Sequence, residues 1–198
     1  MPSRPTAAAR AGARVLLRAP VAADAAAFLR SVAASRRLHR PWVAPPATPA
    51  QFRAWIGRVS AAADAQRHAS FLAVRADDGS LVGVFNFSEI VRGAFQSAYL
   101  GYYALAPNAG RGYMTEAFAL ALDAAFRDLR LHRVEANVQP GNARSIALVE
   151  RLGFAREGYS PRYVKVGGRW RDHARFAMLA DDWPAARRAL HAARRAAR

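Results

Sequence analysis

The sequence predicts one mixed α/β domain built on a largely antiparallel sheet. Three observations predict it. The β-prone runs SFLAVRA, LVGVFNFSEI and SAYLGYYAL follow one another with short links, as an antiparallel meander does. The pattern then changes to strand, glycine loop, helix, strand and helix, a unit whose length brings its two strands parallel through a right-handed crossover. The length of 198 residues suits one domain with a substantial core.

Residues 1–13 are rich in Arg and Ala and contain no acid, which superficially suits a transit peptide but reads better as a flexible basic tail. The domain is expected over 14–181. RVLLRA at 14–19 is a short strand, and VAADAAAFLRSVAASRRL has the composition of a first helix. Prolines 41, 45, 46 and 49 then break helical pattern. In PAQFRAWIGRVSAAADAQRH, Phe52, Trp55, Ile56 and Val59 form an apolar helical stripe. DDGS separates the next two strands and marks a hairpin. After SAYLGYYAL come a helix near 113–130, the strand HRVEANV and a helix near 142–152 with Asn142 as N-cap. LGFAREGY, YVKVGG and WRDHARFAML read as closing strands. Residues 182–198 form a basic C-terminal helix, read as a solvated cap rather than an RNA-binding arm.

The formal charge of +16 comes almost entirely from arginine, Lys165 being the only lysine, and the accompanying alanine bias looks like base composition as much as function. It favours polyanionic partners such as phosphorylated cofactors, RNA or ribosomal surfaces. Without cysteine there is no disulfide, thiolate nucleophile or cysteine zinc site, which fits a reducing compartment. The histidines at 39, 68, 132, 173 and 191 have no compact ligand spacing, so no metal is expected. No apolar run reaches the ~20 residues that span a bilayer.

Around Arg111 the stretch APNAGRGYMTEA joins a strand to a helix. It lacks the lysine of a GxxxxGK[ST] loop, and Thr115 stands where a GxGxxG fingerprint needs glycine. What remains is a loop whose glycines turn backbone N–H groups toward an anion, at the positive end of a helix, with Arg111 able to add donors. By itself the loop suits an anion site and an ordinary turn equally.

The order of elements together with two motifs resembles the GCN5-related N-acetyltransferase (GNAT) superfamily. That family places Q/R-x-x-G-x-G/A between its fourth strand and third helix to hold the pyrophosphate of acetyl-CoA. Here the motif would run Ala109-Gly110-Arg111-Gly112-Tyr113-Met114, departing at Ala109 and Met114. NARSIALVERLGF at 142–154 matches the N-x-x-S…L-G-F segment, whose Asn contacts the pantetheine arm. Residues 82–183 look like the ribosomal-protein-alanine N-acetyltransferase branch, the RimJ/RimL type. The resemblance implies a mixed, mostly antiparallel sheet of about seven strands whose fourth and fifth splay to admit coenzyme A. It assigns cofactor contacts to Tyr103, Ala104, Leu105, Gly110, Arg111, Gly112, Tyr113, Met114, Thr115, Asn137, Asn142 and Ser145.

The reaction so implied is attack of a neutral amine on a thioester. An α-amine with a pKa near ~7.8 needs only a modest base, whereas a lysine near ~10.4 needs a strong one. Glu135 and Asn137 share a face of their strand, which makes Glu135 the best carboxylate for general base, although a solvent-facing ion pair with an arginine explains it equally well. Asn137 occupies a position where some members carry a catalytic Glu, and an amide cannot replace it. Glu116 suits the helix dipole as well as catalysis, and Glu89 is a weaker candidate. A backbone N–H near Tyr103 to Leu105 would stabilise the oxyanion. Ser145 resembles the residue that donates a hydrogen bond to the leaving thiolate. The acid tyrosine and the base glutamate of other branches would fall at Val149 and Val164, so both are missing.

The expected function is acetyl-CoA-dependent acetylation of a protein N-terminal α-amine, with a ribosomal protein as candidate target, in the cytoplasm, by a monomer or dimer without metal or membrane attachment. A basic surface for ribosome or RNA contact goes with it. The alternatives are a small-molecule amine acetyltransferase, for instance an antibiotic-modifying one, and a non-catalytic ribosome- or RNA-binding protein with this fold.

Overall fold

The computed structural model describes residues 9–60 and 67–196. Strands β1 (Arg10–Ala11) and β2 (Val15–Arg18) precede helices α1 (Ala25–Ala34), α2 (Arg36–His39) and α3 (Pro49–Ser60). The meander follows as β3 (Ala69–Arg75), β4 (Leu81–Val91) and β5 (Ser97–Ala104). Then come α4 (Tyr113–Asp123), β6 (Arg133–Val138), α5 (Ala143–Arg151), the hairpin β7 (Ala155–Val166) and β8 (Arg169–Leu179), and α6 (Trp183–Ala196). The eight strands form one sheet in the order β1-β2-β3-β4-β5-β6-β8-β7, in which β5 and β6 make the parallel pair.

Successive strand residues point to opposite faces. In β3, Phe71 and Ala73 enter one apolar cluster while Leu72 and Val74 enter another, so the sheet separates two cores. One core holds α4, whose residues Thr115 to Asp123 are all buried, together with Val149 of α5 and Trp183 and Leu190 of α6. The other holds Phe28 and Val32 of α1 and the stripe residues Phe52 and Trp55 of α3, with Ile56 and Val59 packed against it. The six residues after Ser60, expected to continue that helix, lie outside the described residues, as does most of the expected N-terminal tail.

Several boundaries differ from those read off the sequence. Arg10 and Ala11, placed in the tail, pair with Leu17 and Leu16, because Arg10 reaches Asp128 through Nε at 3.0 Å and ties this segment across the fold. The first helix is broken at Ser35, whose buried hydroxyl donates back to the Ser31 carbonyl at 2.6 Å and accepts the Ala106 N–H at 2.8 Å. LGFAREGY and YVKVGG supply one strand, β7, with a register shift between Ser160 and Val164. The C-terminal helix is no mere solvated cap, since Asp123 accepts Trp183 Nε1 at 3.0 Å and pairs with Arg187 at 2.7 Å.

Candidate functional site

The parallel pairing of β5 with β6 covers only Ser97↔Arg133, Ala98↔Val134 and Tyr99↔Glu135. Beyond Tyr99 the two strands part, while β5 stays on β4 as far as Ala104 and β6 stays on β8 as far as Val138. The gap opens into a cleft of about 1130 Å³. Leu105 donates its N–H to the Val82 carbonyl at 2.8 Å, so by the alternation of an antiparallel ladder Tyr103 also faces β4. The N–H groups of Tyr102 and Ala104 are thereby turned to the open edge. Of the expected window Tyr103 to Leu105, only Ala104 turns its N–H to that edge, and Tyr102 joins it.

At the end of β5, Gly110 and Gly112 both take left-handed backbone conformations, φ 79° and 78°. A Cβ on Gly110 would meet nothing within 4 Å, and one on Gly112 would come no closer than 3.5 Å to Arg14 Nη2, so it is the backbone path that demands glycine. Gly112 is also the N-cap of α4, which places the loop's N–H groups at the helix's positive end. Asn108, buried in this loop, donates to Ser80 Oγ and the Leu81 carbonyl, each at 3.0 Å, and pins the loop to the β3–β4 hairpin. Glu116 is fixed by Arg14, accepting its backbone N–H at 2.7 Å, which gives it a structural task. Glu89 is exposed and pairs with Arg67.

Tyr103, Ala104, Gly110, Gly112, Met114, Thr115, Asn137, Asn142 and Ser145 all line the cleft. Asn142 caps α5 by accepting the Ser145 N–H at 3.2 Å. The Asn137 Oδ1 is buried and has no hydrogen-bond partner among the described residues. Four expected residues lie outside the lining. Leu105 is fully buried in the second core, Arg111 is exposed, and the Tyr113 ring carries Arg14 at 4.8 Å and Arg75 at 5.4 Å. Glu135 sits where β5 and β6 are still paired and accepts Arg133 Nε at 3.1 Å, Arg133 also binding Glu157. The expected general base is therefore a member of an ion-pair ladder, and its position does not support that role.

Two features were not foreseen from the sequence. The Tyr102 hydroxyl makes a short hydrogen bond to Ser145 Oγ and lies 3.3 Å from the Ser145 carbonyl oxygen, joining the open edge of β5 to the first turn of α5. Burial pushes the phenols of Tyr102 and Tyr103 above the ordinary tyrosine range, so both stay protonated. The second feature is the pair His39 and His173, both cleft-lining and both buried. His39 Nε2 donates to the Ala104 carbonyl at 2.8 Å, and its ring meets Tyr103 edge-on. Burial lowers its pKa, with the bond to Ala104 acting against that. Neither histidine carries a spacing signal, because only the sheet brings them to one cleft.

Among the described residues, no carboxylate lines the cleft and no cluster of three or more metal-ligating side chains occurs. Gln139 Nε2 donates to the Trp42 carbonyl at 3.1 Å, so the proline-rich segment after α2 walls the mouth of the cleft.

An acetyltransferase (GNAT) domain description matches residues 14–155. The chain belongs to the GNAT acetyltransferase family. Over 107 residues it is 43% identical to the probable N-acetyltransferase YjcK of Bacillus subtilis (strain 168), covering 54% of this chain and 59% of that protein. It is likewise 43% identical over 107 residues to the [Ribosomal protein uS5]-alanine N-acetyltransferase of Escherichia coli (strain K12), covering 54% of this chain and 55% of that one. The chain thus spans only a little over half the length of these relatives. Among solved structures, Mycobacterium smegmatis RimJ in complex with CoA-disulfide superposes with a TM-score of 0.82 at 34% identity, over 91% of this chain and 90% of that chain. GNAT membership accounts for the splayed strands and for the position of the glycine loop at their end.

Proposed function

We propose that this chain transfers the acetyl group of acetyl-CoA to the α-amine of a protein N-terminus, and that its target is a ribosomal protein. The observation that carries the reading is the opening between β5 and β6 with the Gly110–Gly112 cradle at its end. The fit to coenzyme A rests on two further features of the cleft: space beside Gly110 for an anion, and the buried, unpartnered Asn137 Oδ1, an acceptor suited to an amide N–H of the pantetheine arm.

When bound, acetyl-CoA supplies an activated acyl group on a good leaving thiolate. The loop N–H groups and the α4 dipole hold its phosphates. Asn137 and Asn142 take the amide-rich arm along the gap. The outward N–H groups of Tyr102 and Ala104 face the acyl oxygen and stabilise negative charge there, held in place by the β4–β5 ladder. Ser145, oriented by the Tyr102 hydroxyl, donates a hydrogen bond to the departing sulfur.

Two features favour an N-terminal α-amine. Among the described residues, the lining has no carboxylate that would attract a polycationic small molecule. An α-amine near ~7.8 is already partly neutral at physiological pH, so the site needs no strong base. The similarity to a uS5-alanine N-acetyltransferase supports a ribosomal target.

The test is coenzyme A release over N-terminal peptides, Nα-blocked lysine peptides and aminoglycosides. N-terminal peptides are expected to be preferred by at least tenfold in kcat/KM, about 1.4 kcal/mol. A preference for lysine peptides or aminoglycosides overturns the acceptor assignment. Gly110→Arg should abolish the thermal shift given by coenzyme A while leaving circular dichroism unchanged, and a wild type that shows no shift overturns the reading as a whole.

A further inference from the structure

Deprotonation of the acceptor amine has no obvious agent in this site. The carboxylate expected from the sequence, Glu135, is held in the Arg133 ladder outside the cleft, and no other carboxylate among the described residues lines it. Among the described residues, the ionisable lining side chains able to accept a proton are then two histidines. Both belong to the same side of the sheet. Tyr103, against which His39 packs, shares the face of Tyr99 and hence of Glu135 and Asn137, and His173 shares the face of Arg175, the register partner of Asn137. Tyr102 and Ser145 lie on the other side, with α4 and α5. An amine entering from the histidine side would meet the acyl carbon opposite the group that stabilises the sulfur.

The histidines differ in which nitrogen is committed. His39 spends Nε2 on the Ala104 carbonyl at 2.8 Å. His173 turns Nδ1 onto the Arg171 carbonyl at 3.0 Å. A carbonyl can only accept, so His173 Nδ1 carries the hydrogen and Nε2 of the neutral ring keeps its lone pair. With Nδ1 directed back at its own strand, Nε2 is the nitrogen left for the cleft that the ring lines. The Tyr163 ring, edge-on at 5.9 Å between centroids, holds the imidazole from β7. His173 is 5% exposed, a degree of burial that no surface histidine shows.

We infer that His173 is the general base, taking the amine proton on Nε2. The inference rests on the acetyltransferase reading above. In this step the amine nitrogen forms a bond to the acetyl carbon, the carbon–sulfur bond breaks, the thiolate leaves under the Ser145 hydrogen bond, and the ammonium proton passes to Nε2 as the amide forms. Bulk water then takes the proton from the imidazolium. Burial keeps the ring below the ordinary histidine pKa, opposed by the bond to the Arg171 carbonyl and by Asp172, so it is neutral and ready to accept at physiological pH. The charged and titratable groups around it are Arg171, Asp172 and Arg175 on β8 and Tyr163 on β7, with uncharged Asn137, the register partner of Arg175, on β6. The Asp172 carboxylate is occupied by the Tyr159 hydroxyl and by the Arg162 N–H at 2.7 Å.

The experiment compares wild type with His173→Asn, whose side-chain amide can still donate to the Arg171 carbonyl, using a peptide acceptor with a free α-amine. The variant is expected to lose ~100-fold or more in kcat while KM for acetyl-CoA and the thermal shift by coenzyme A stay within about twofold. On the acid side, log kcat/KM of the wild type should fall with two ionisations, those of the acceptor amine and His173, and that of the variant with one. Added imidazole should restore part of the rate. A variant within about threefold of wild type, or one whose pH profile keeps both ionisations, overturns the inference. So does finding the loss and the missing ionisation in His39→Asn instead. If the wild type acetylates no amine at all, the acetyltransferase reading has failed first.

Discussion

Replacing Tyr102 by Phe and Ser145 by Ala, singly and together, tests whether the two hydroxyls act as one unit. Their hydrogen bond is half-buried, and each removal also leaves a partner behind. Tyr102→Phe leaves the Ser145 hydroxyl beside the cleft, where water can reach it, so the stability loss should be near ~1 kcal/mol, the ordinary net value of such a bond. Ser145→Ala leaves the half-buried phenol with the residue-145 carbonyl at 3.3 Å, a long but usable acceptor, so its cost should again be near ~1 kcal/mol. The double variant loses that shared bond once, and its cost should fall short of the sum by ~1 kcal/mol, or ~2–4 °C in Tm for a chain of this size. In coenzyme A release each single change should lower kcat by about tenfold, equivalent to ~1.4 kcal/mol of transition-state stabilisation, and the double change should add little. Urea unfolding and initial rates on the four proteins complete the cycle. Additive effects within ~0.5 kcal/mol in both measurements would refute the coupling, and with it the claim that Tyr102 orients Ser145.

Two further outcomes follow from the packing. Asp123→Ala should cost ~3 kcal/mol or more by urea unfolding and expose α6 to limited proteolysis, because it removes the acceptor for Trp183 Nε1 and the partner of Arg187 from a site only 1% exposed. For Asp24, burial alone would raise the carboxyl, but the Arg18 guanidinium and the Val21 N–H outweigh it and hold the pKa below the usual value of 3.8. The carboxylate's contribution is therefore present above that value and is lost as pH falls through the lower folded-state pKa. Wild type should exceed Asp24→Asn in urea midpoint at pH 6, and the gap should narrow progressively as pH is lowered past 3.8; a gap that does not narrow on acidification refutes the assignment.

What the sequence determined by itself is whatever depends on neighbours along the chain. The DDGS hairpin, the apolar stripe of Phe52 and Trp55, the Asn142 cap and the Gly110–Gly112 turn are each set by local backbone preference and periodicity, and each is found where those preferences place it. The glycine loop and the N-x-x-S segment together also sufficed to indicate the family. Burial and pairing across the sheet could not be read that way. Glu135 and Asn137 are two residues apart on one strand, yet the first lies where β6 is still bound to β5 and the second where it has left, so one is an ion-pair partner and the other lines the cleft. Tyr102 reaches Ser145 across 43 positions, and His39 and His173 reach one cleft from opposite ends of the chain. The direction of a strand's N–H groups, the depth of a ring and the distance between residues far apart in sequence follow from register and packing, which only the folded sheet supplies.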